Sequence, residues 1–146
     1  MRHVVFRLDK DRYALPLAAI REVVVTPEKF SRVPRSAPSV RGIMNLRGRV
    51  VTVVELATLL RPDQPEKKHE GPPRKIVLLD RGRRELGLLV TEVDGIEAIE
   101  KVGPAPPKAP ATVKGLARLG ALAVTVLEPE ALDAAVAASF SKISRS

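Results

Sequence analysis

Val40-Arg41-Gly42-Ile43-Met44-Asn45-Leu46-Arg47-Gly48-Arg49-Val50-Val51 decides how this chain is read. An apolar strand runs into a tight Arg-Gly turn and out along a second apolar strand. Asn45 and Arg47 are polar groups at a strand end, where a hairpin built only for packing does not need them. The run nearly recurs. Val113-Lys114-Gly115, Leu119, Val124-Thr125-Val126, Glu128 and Leu132 stand 73 residues after Val40-Arg41-Gly42, Leu46, Val51-Thr52-Val53, Glu55 and Leu59, with no gap. Upstream, Leu8-Asp9, Leu15 and Leu17 match Leu79-Asp80, Leu86 and Leu88 at a shift of 71. A repeat of this length predicts two similar lobes. The competing account is chance similarity between two Val-rich hairpins.

The 146 residues suit one ordinary domain or two small lobes sharing an interface. At 45% hydrophobic the chain can bury a core, and the absence of cysteine excludes disulfides, thiolate metal sites and a cysteine nucleophile. No apolar run is long enough to span a bilayer. The N-terminus, Met1-Arg2-His3-Val4-Val5-Phe6-Arg7, lacks a signal-peptide apolar region, so the expected location is the cytoplasm. The net charge of +8 attracts polyanions or acidic protein faces. Against nucleic acid, the chain has no Trp, one Tyr (Tyr13) and three Phe, too few for base-stacking platforms, and its basic residues are dispersed. The charge reads as a solvated surface tuned to an acidic partner.

His3 to Leu8 and Tyr13 to Pro16 read as short strands around an Asp9-Lys10-Asp11 turn. Leu17 to Val24 reads as a helical turn entering a strand. Thr26 to Pro38 is a proline-bearing loop carrying Phe30 and Val33, which either anchor an interface or fold back under the loop. Val40 to Leu46 and Arg49 to Val54 form the hairpin, and Glu55 to Leu60 a helical turn. Residues 61–73 form a polar connector with no apolar group to pack, expected to be mobile. The pattern restarts with strands at Lys75 to Leu79 and Leu86 to Val90, where Gly87 marks a bulge or a close approach. Val93 to Ile99 continues the sheet, and Gly103 to Pro110 is a loop. A last hairpin, Val113 to Leu119 and Ala121 to Leu127, leads to a helix opening at Glu128-Pro129-Glu130 with Leu132, Val136 and Phe140 on its apolar face. Residues 141–146 read as a frayed tail. The expected organisation is one domain over 1–140, with repeat halves at 3–60 and 74–133. The predicted class is mainly β, two small barrels.

Chemistry has little to stand on. His3 and His69 are the two histidines, and neither has metal-ligand company in the sequence. Glu92 and Asp94 read as solvated positions rather than a catalytic pair. No phosphate-binding glycine pattern and no nucleophile elbow is present. The expectation is no enzyme, no cofactor, no metal and no small-molecule substrate. What remains suits binding. Arg47 reads as a partner contact or as an ion pair that shapes a binding face, with Glu22 nominated as its acid.

These residues carry a resemblance. Ala14-Leu15-Pro16, then Ile20-Arg21-Glu22-Val23, resembles the first half of the CheW family of chemotaxis coupling proteins. Gly42 to Val51 is similar to that family's Asn-Leu-Arg-Gly hairpin, and Gly87 to Val93 and Gly115 to Leu132 complete the pattern over residues 3 to 133. The resemblance implies two SH3-like five-stranded β-barrels with short helices, packed around a shared apolar interface. It implies a non-enzymatic adaptor that bridges the cytoplasmic tip of methyl-accepting chemoreceptors to the regulatory domain of a CheA-type histidine kinase, in receptor-associated arrays. It touches the membrane only through receptors. Carried over by position, the receptor-facing groove holds Ile20, Gly42, Asn45, Arg47, Lys75, Ile76 and Val93, and the kinase-facing patch holds Phe30 and Val33. The sequence departs from the pattern at Thr52, Glu55, Thr91 and Lys75, where proline, aspartate, aspartate and an apolar residue are usual. These departures keep open an accessory protein that binds receptors without coupling the kinase. A basic small-barrel nucleic-acid binder and a regulatory fragment of a larger kinase are further alternatives.

Overall fold

The computed structural model describes residues 1–27, 29–31, 39–60, 75–81 and 84–144. Val33, the connector 61–73, the end of the tail and the Phe140 side chain lie outside the described residues. Local hairpins account for most of the architecture. β1 (Arg2–Leu8) turns into β2 (Asp11–Pro16), β4 (Val40–Leu46) into β5 (Arg49–Glu55), β6 (Lys75–Arg81) into β7 (Arg84–Val90), and β10 (Val113–Leu119) into β11 (Leu122–Leu127). A 3-10 turn at Leu17–Ala19 leads into β3 (Ile20–Val25), and β8 (Glu92–Ala98) and the two-residue β9 (Gly103–Pro104) complete the strands. Helix α1 (Leu56–Leu60) follows β5 and α2 (Pro129–Ser144) follows β11, so the last helix runs into the stretch read as a tail.

The strands form two sheets, in the orders β8-β1-β2-β11-β10-β9 and β3-β6-β7-β5-β4. Each sheet therefore draws strands from both sequence repeats. The first repeat lends its β1–β2 hairpin to the sheet of the second, and the second lends β6–β7 to the sheet of the first. Two parallel contacts make the exchange, β2 beside β11 and β7 beside β5. Each sheet curls into a barrel. Ser31 bridges to Ile43 on β4 and closes one, and β9 pairs with β10 to close the other.

The correspondence between repeats is 73 residues throughout. Val53 lies beside Gly87 as Val126 lies beside Ala14, and Leu79 pairs with Leu86 as Phe6 pairs with Tyr13. The upstream shift of 71 expected from sequence is thus corrected by two residues. The irregularities repeat as well. β4 and β10 carry bulges at Arg41 and Lys114, and β3 and β8 at Arg21 and Asp94. The Glu55 N–H donates to the Ser39 carbonyl at 2.7 Å, and the Glu128 N–H donates to the Thr112 carbonyl at 2.8 Å. The glycines after the β4 and β10 bulges share a cause. A Cβ at Gly42 would lie 2.6 Å from the Ser31 carbonyl oxygen, and one at Gly115 would lie 2.0 Å from that of Gly103. Gly87 marks a close approach, with Ile76 Cγ2 2.7 Å from where its Cβ would be, and β7 keeps register there.

The core has three parts. Val5, Ala14, Ile99, Ala117, Val124 and Val126 fill one barrel, and Val51, Val53, Ile76, Leu78 and Leu89 fill the other. The largest cluster lies between the barrels, where Phe6, Tyr13, Leu15 and Leu127 of one sheet meet Val54, Leu79, Leu86 and Leu88 of the other, with Leu132 and Val136 from α2. Strands β6 and β7 are buried on both faces, which is why they read as continuous apolar runs rather than alternating ones. Leu88 is fully buried in the shared cluster. Leu88→Ala is expected to cost about 2–5 kcal/mol. Because the cluster is common property, Tyr13 fluorescence and far-UV circular dichroism should report one coincident urea transition in the variant, as in the parent.

Candidate functional site

The tip of the β4–β5 hairpin is held in costly backbone. Leu46 pairs with Arg49, and the two residues between them, Arg47 (φ 51°) and Gly48 (φ 85°), both take positive φ. That is the type I′ pattern, which favours Asn-Gly and matches strand twist. An arginine there costs roughly 1–2 kcal/mol of steric strain. Asn45 holds the turn through its Oδ1, which accepts the Gly48 N–H at 2.9 Å. The equivalent turn of the second repeat joins Leu119 and Leu122 and places Gly120 (φ 62°) where Arg47 stands. Ala121, where Gly48 stands, does not take positive φ, so the two turns differ in type, and Arg47 sits in left-handed backbone that favours Asn or Gly.

The Arg47 Nη2 donates to Glu22 Oε1 on β3. β3 and β4 are opposite edges of their sheet, so this ion pair spans the barrel closure. Arg47 is 68% exposed and Glu22 32%, and a pair this wet contributes about 0–1 kcal/mol. It orients more than it stabilises. A second charge cluster runs across the same barrel. Arg21 Nη1 donates to Glu85 at 2.9 and 3.0 Å and its Nη2 lies 3.6 Å from Asp80, while Arg49 pairs with the same Glu85. The hydrogen bonds that Arg21 donates to Glu85 raise the guanidinium pKa above its ordinary value. On the other barrel, Asp94 accepts from Arg7 Nε at 2.8 Å and lies 3.3 Å from Arg12 Nε. Sequence reasoning missed both clusters and left Asp94 as a solvated position. The signal that could have found them is the bulge, which turns a residue out of the strand alternation.

The remaining residues named from sequence divide by burial. Ile20 and Val93 are half-buried, occupy equivalent places on β3 and β8, and both pack on the interbarrel cluster. Beyond them, Val23 and Val25 on β3 and Ile96 on β8 are exposed. Lys75 opens β6 opposite Val25 and is half-buried. Ile76 is fully buried inside its barrel, and Gly42 is buried against Phe30 and Ser31. Phe30 packs on the same barrel core, with the Arg41 guanidinium 5.9 Å above its ring.

His3 is buried at the position where the second repeat has Ile76. Burial holds its pKa below the ordinary 6.5, and its Nδ1 lies 3.2 Å from the Met1 carbonyl. Among the described residues no group of His, Asp or Glu could hold a metal, and no helix is long and apolar enough to cross a membrane.

A profile of the CheW-like domain matches residues 2–136. The chain belongs to the CheW-like domain family. It is 33% identical over 91 residues to the chemotaxis protein CheW of Thermotoga maritima, an alignment spanning 62% of this chain and 57% of that relative's length. It also resembles the crystal structure of scaffolding protein TtCheW from Thermoanaerobacter tengcongensis, with a TM-score of 0.75 and 24% identity, covering 87% of this chain and 88% of that one. At that identity the likeness speaks for the fold. It agrees with the mainly β architecture of paired barrels expected from sequence. The expectation of five strands per barrel needs one addition, the short β9.

Two outcomes are expected. Arg47→Gly removes the strain and a weak ion pair together, so its urea-unfolding free energy should equal or exceed the parent's by up to about 1 kcal/mol. A loss larger than that would make Arg47 a structural residue. For His3, the depressed folded pKa means that the unfolded chain binds the proton more readily. Stability is held above about pH 6.5 and lost as the pH falls below it. Unfolding free energy should therefore drop less between pH 7 and pH 5 in His3→Leu than in the parent.

Proposed function

We propose that this chain is a non-enzymatic adaptor of a chemosensory pathway, joining the cytoplasmic tip of a chemoreceptor to the regulatory domain of a CheA-type histidine kinase. The observation that carries this reading is the exposed arginine kept in strained backbone at the Asn45–Gly48 tip, where the equivalent turn uses glycine. Strain of this kind persists where a side chain must be held at a particular place. The family membership supplies the class of partner. The receptor-facing surface combines this tip with the apolar border of the interbarrel seam. Ile20 and Val93 line that border from the two barrels, and Lys75 flanks it. Val23 and Val25 on β3 and Ile96 on β8 are exposed apolar side chains of the same two strands, a character suited to the apolar stripe of a helix. The kinase docks through Phe30 and Val33. No bond is made or broken. The adaptor passes on a shift between two arrangements, a coupling typically worth about 1–3 kcal/mol. The expected location is the cytoplasm, within receptor arrays.

Reconstitution tests the reading. Adding the protein to receptor-bearing membranes and kinase should raise kinase activity. Receptor binding with unchanged kinase activity would identify an accessory protein that does not couple, and a salt-sensitive shift of DNA or RNA at low ionic strength would favour a nucleic-acid binder. A charge exchange separates the two roles of Arg47. Arg47→Glu and Glu22→Arg should each abolish most of the coupling. If Arg47 only positions the seam through Glu22, the double exchange restores it. If Arg47 touches the receptor, the double variant stays inactive.

A further inference from the structure

We propose that the charges linking the two repeats form a pairing code, which lets the first repeat fold onto the second and rejects the pairing of either repeat with its own kind in another copy of the chain. The problem is set by the topology. Each barrel is completed by a hairpin borrowed from the other repeat, and the repeats share registers, bulges and apolar positions at a constant spacing of 73 residues. Nothing in the backbone plan prevents the β1–β2 hairpin of one copy from inserting where β6–β7 belongs in a second copy. Such an exchange would join like with like.

The charges differ between the repeats where the shape does not. In the β1–β2 hairpin the cross-strand pair Arg7↔Arg12 is doubly positive, and at the equivalent place in β6–β7 the pair Asp80↔Glu85 is doubly negative. Like charges directly opposite one another are unfavourable unless a counter-charge is supplied. The counter-charge comes each time from a bulge residue of the other repeat. Asp94, in the β8 bulge, binds Arg7 and Arg12, and Arg21, in the equivalent β3 bulge, binds Glu85 and Asp80. Arg49, also of the first repeat, adds a second positive charge on Glu85. In a barrel made from two first repeats, Arg21 and Arg49 would face Arg7 and Arg12. In one made from two second repeats, Asp94 would face Asp80 and Glu85. The correct pairing satisfies every member of both clusters, and each wrong pairing assembles charges of one sign. Discrimination by repulsion of the wrong partner is an established way to specify assemblies.

The full chain tests this with an erased code. Arg7→Asp/Arg12→Glu/Asp94→Arg gives both repeats the same signs. Correct pairing stays satisfied, and pairing of like repeats becomes satisfied too. The reciprocal set, Arg21→Glu/Arg49→Glu/Asp80→Arg/Glu85→Arg, does the same from the other side. The reporter is Val4→Cys with Val23→Cys in every background. In the native chain position 23 faces Val77 and position 4 faces Ile96, whereas pairing of two first repeats sets 23 opposite 4 of the second copy. After unfolding in urea, refolding at high concentration and low salt, and oxidation, the parent should give only trace disulfide-linked dimer. The erased-code chains should give several-fold more. Asp94→Arg alone should lower the thermal midpoint, less so at high salt, and the triple set should recover it. Equal dimer yields in the parent and both erased-code chains would overturn the proposal. So would an unchanged midpoint in Asp94→Arg, or failure of both exchanged sets to fold.

Discussion

The apolar cluster between the two barrels is the constraint on which the rest depends. Each barrel interior is a small apolar set. One is filled by Val5, Ala14, Ile99, Ala117, Val124 and Val126, a small set for a sheet of this size. Phe6, Tyr13, Leu15, Leu79, Leu86, Leu88 and Leu127 sit outside both barrel interiors and find shelter only where the barrels meet. Hairpins β1–β2 and β6–β7 are therefore buried on both faces, one toward a barrel and one toward the seam. That requirement explains why these hairpins are the exchanged ones. A strand apolar on both sides must sit between two layers, and the seam provides the second layer.

Polar features follow from the same arrangement. An open sheet has edges, and each barrel hides its own with a short bridging segment, Ser31 on β4 and Gly103–Pro104 on β10. The close approach of these segments leaves no room for a side chain at Gly42 or Gly115. The ion pair between Glu22 and Arg47 then fastens β3 to the β4–β5 tip, opposite edges of one sheet. The candidate binding surface is thus a product of barrel closure. Its arginine is aimed by an acid far away in the sheet order, and its apolar border, Ile20 and Val93, is the rim of the core that holds the barrels together.

The error in the upstream repeat spacing is instructive. Shifts of 71 and 73 differ by two, and side chains alternate along a strand with a period of two. Both alignments keep every apolar residue on its proper face, so pattern matching has no means of choosing between them. The downstream repeat is legible because Gly42 and Gly115 follow equivalent bulges, which fix position rather than parity. Burial is likewise invisible to pattern: Gly42 and Ile76 are buried, whereas Val23 and Val25 on β3 reach solvent. Asp94 looked like a solvated strand residue because its partners, Arg7 and Arg12, are distant in sequence.

The sequence by itself determined the hairpins, the Asn45–Gly48 turn, the duplication and the membership of a family. All of these are written in local residue order: alternation along strands, glycine at turns, and a motif short enough to be read whole. Only the tertiary structure decided which hairpin joins which barrel, the two parallel contacts that make the exchange, and the partners of the charged bulge residues. Those contacts link residues far apart in the chain. They are chosen by what the apolar faces can bury together and by which charges can be neutralised at the same place, and no stretch of sequence states either in advance.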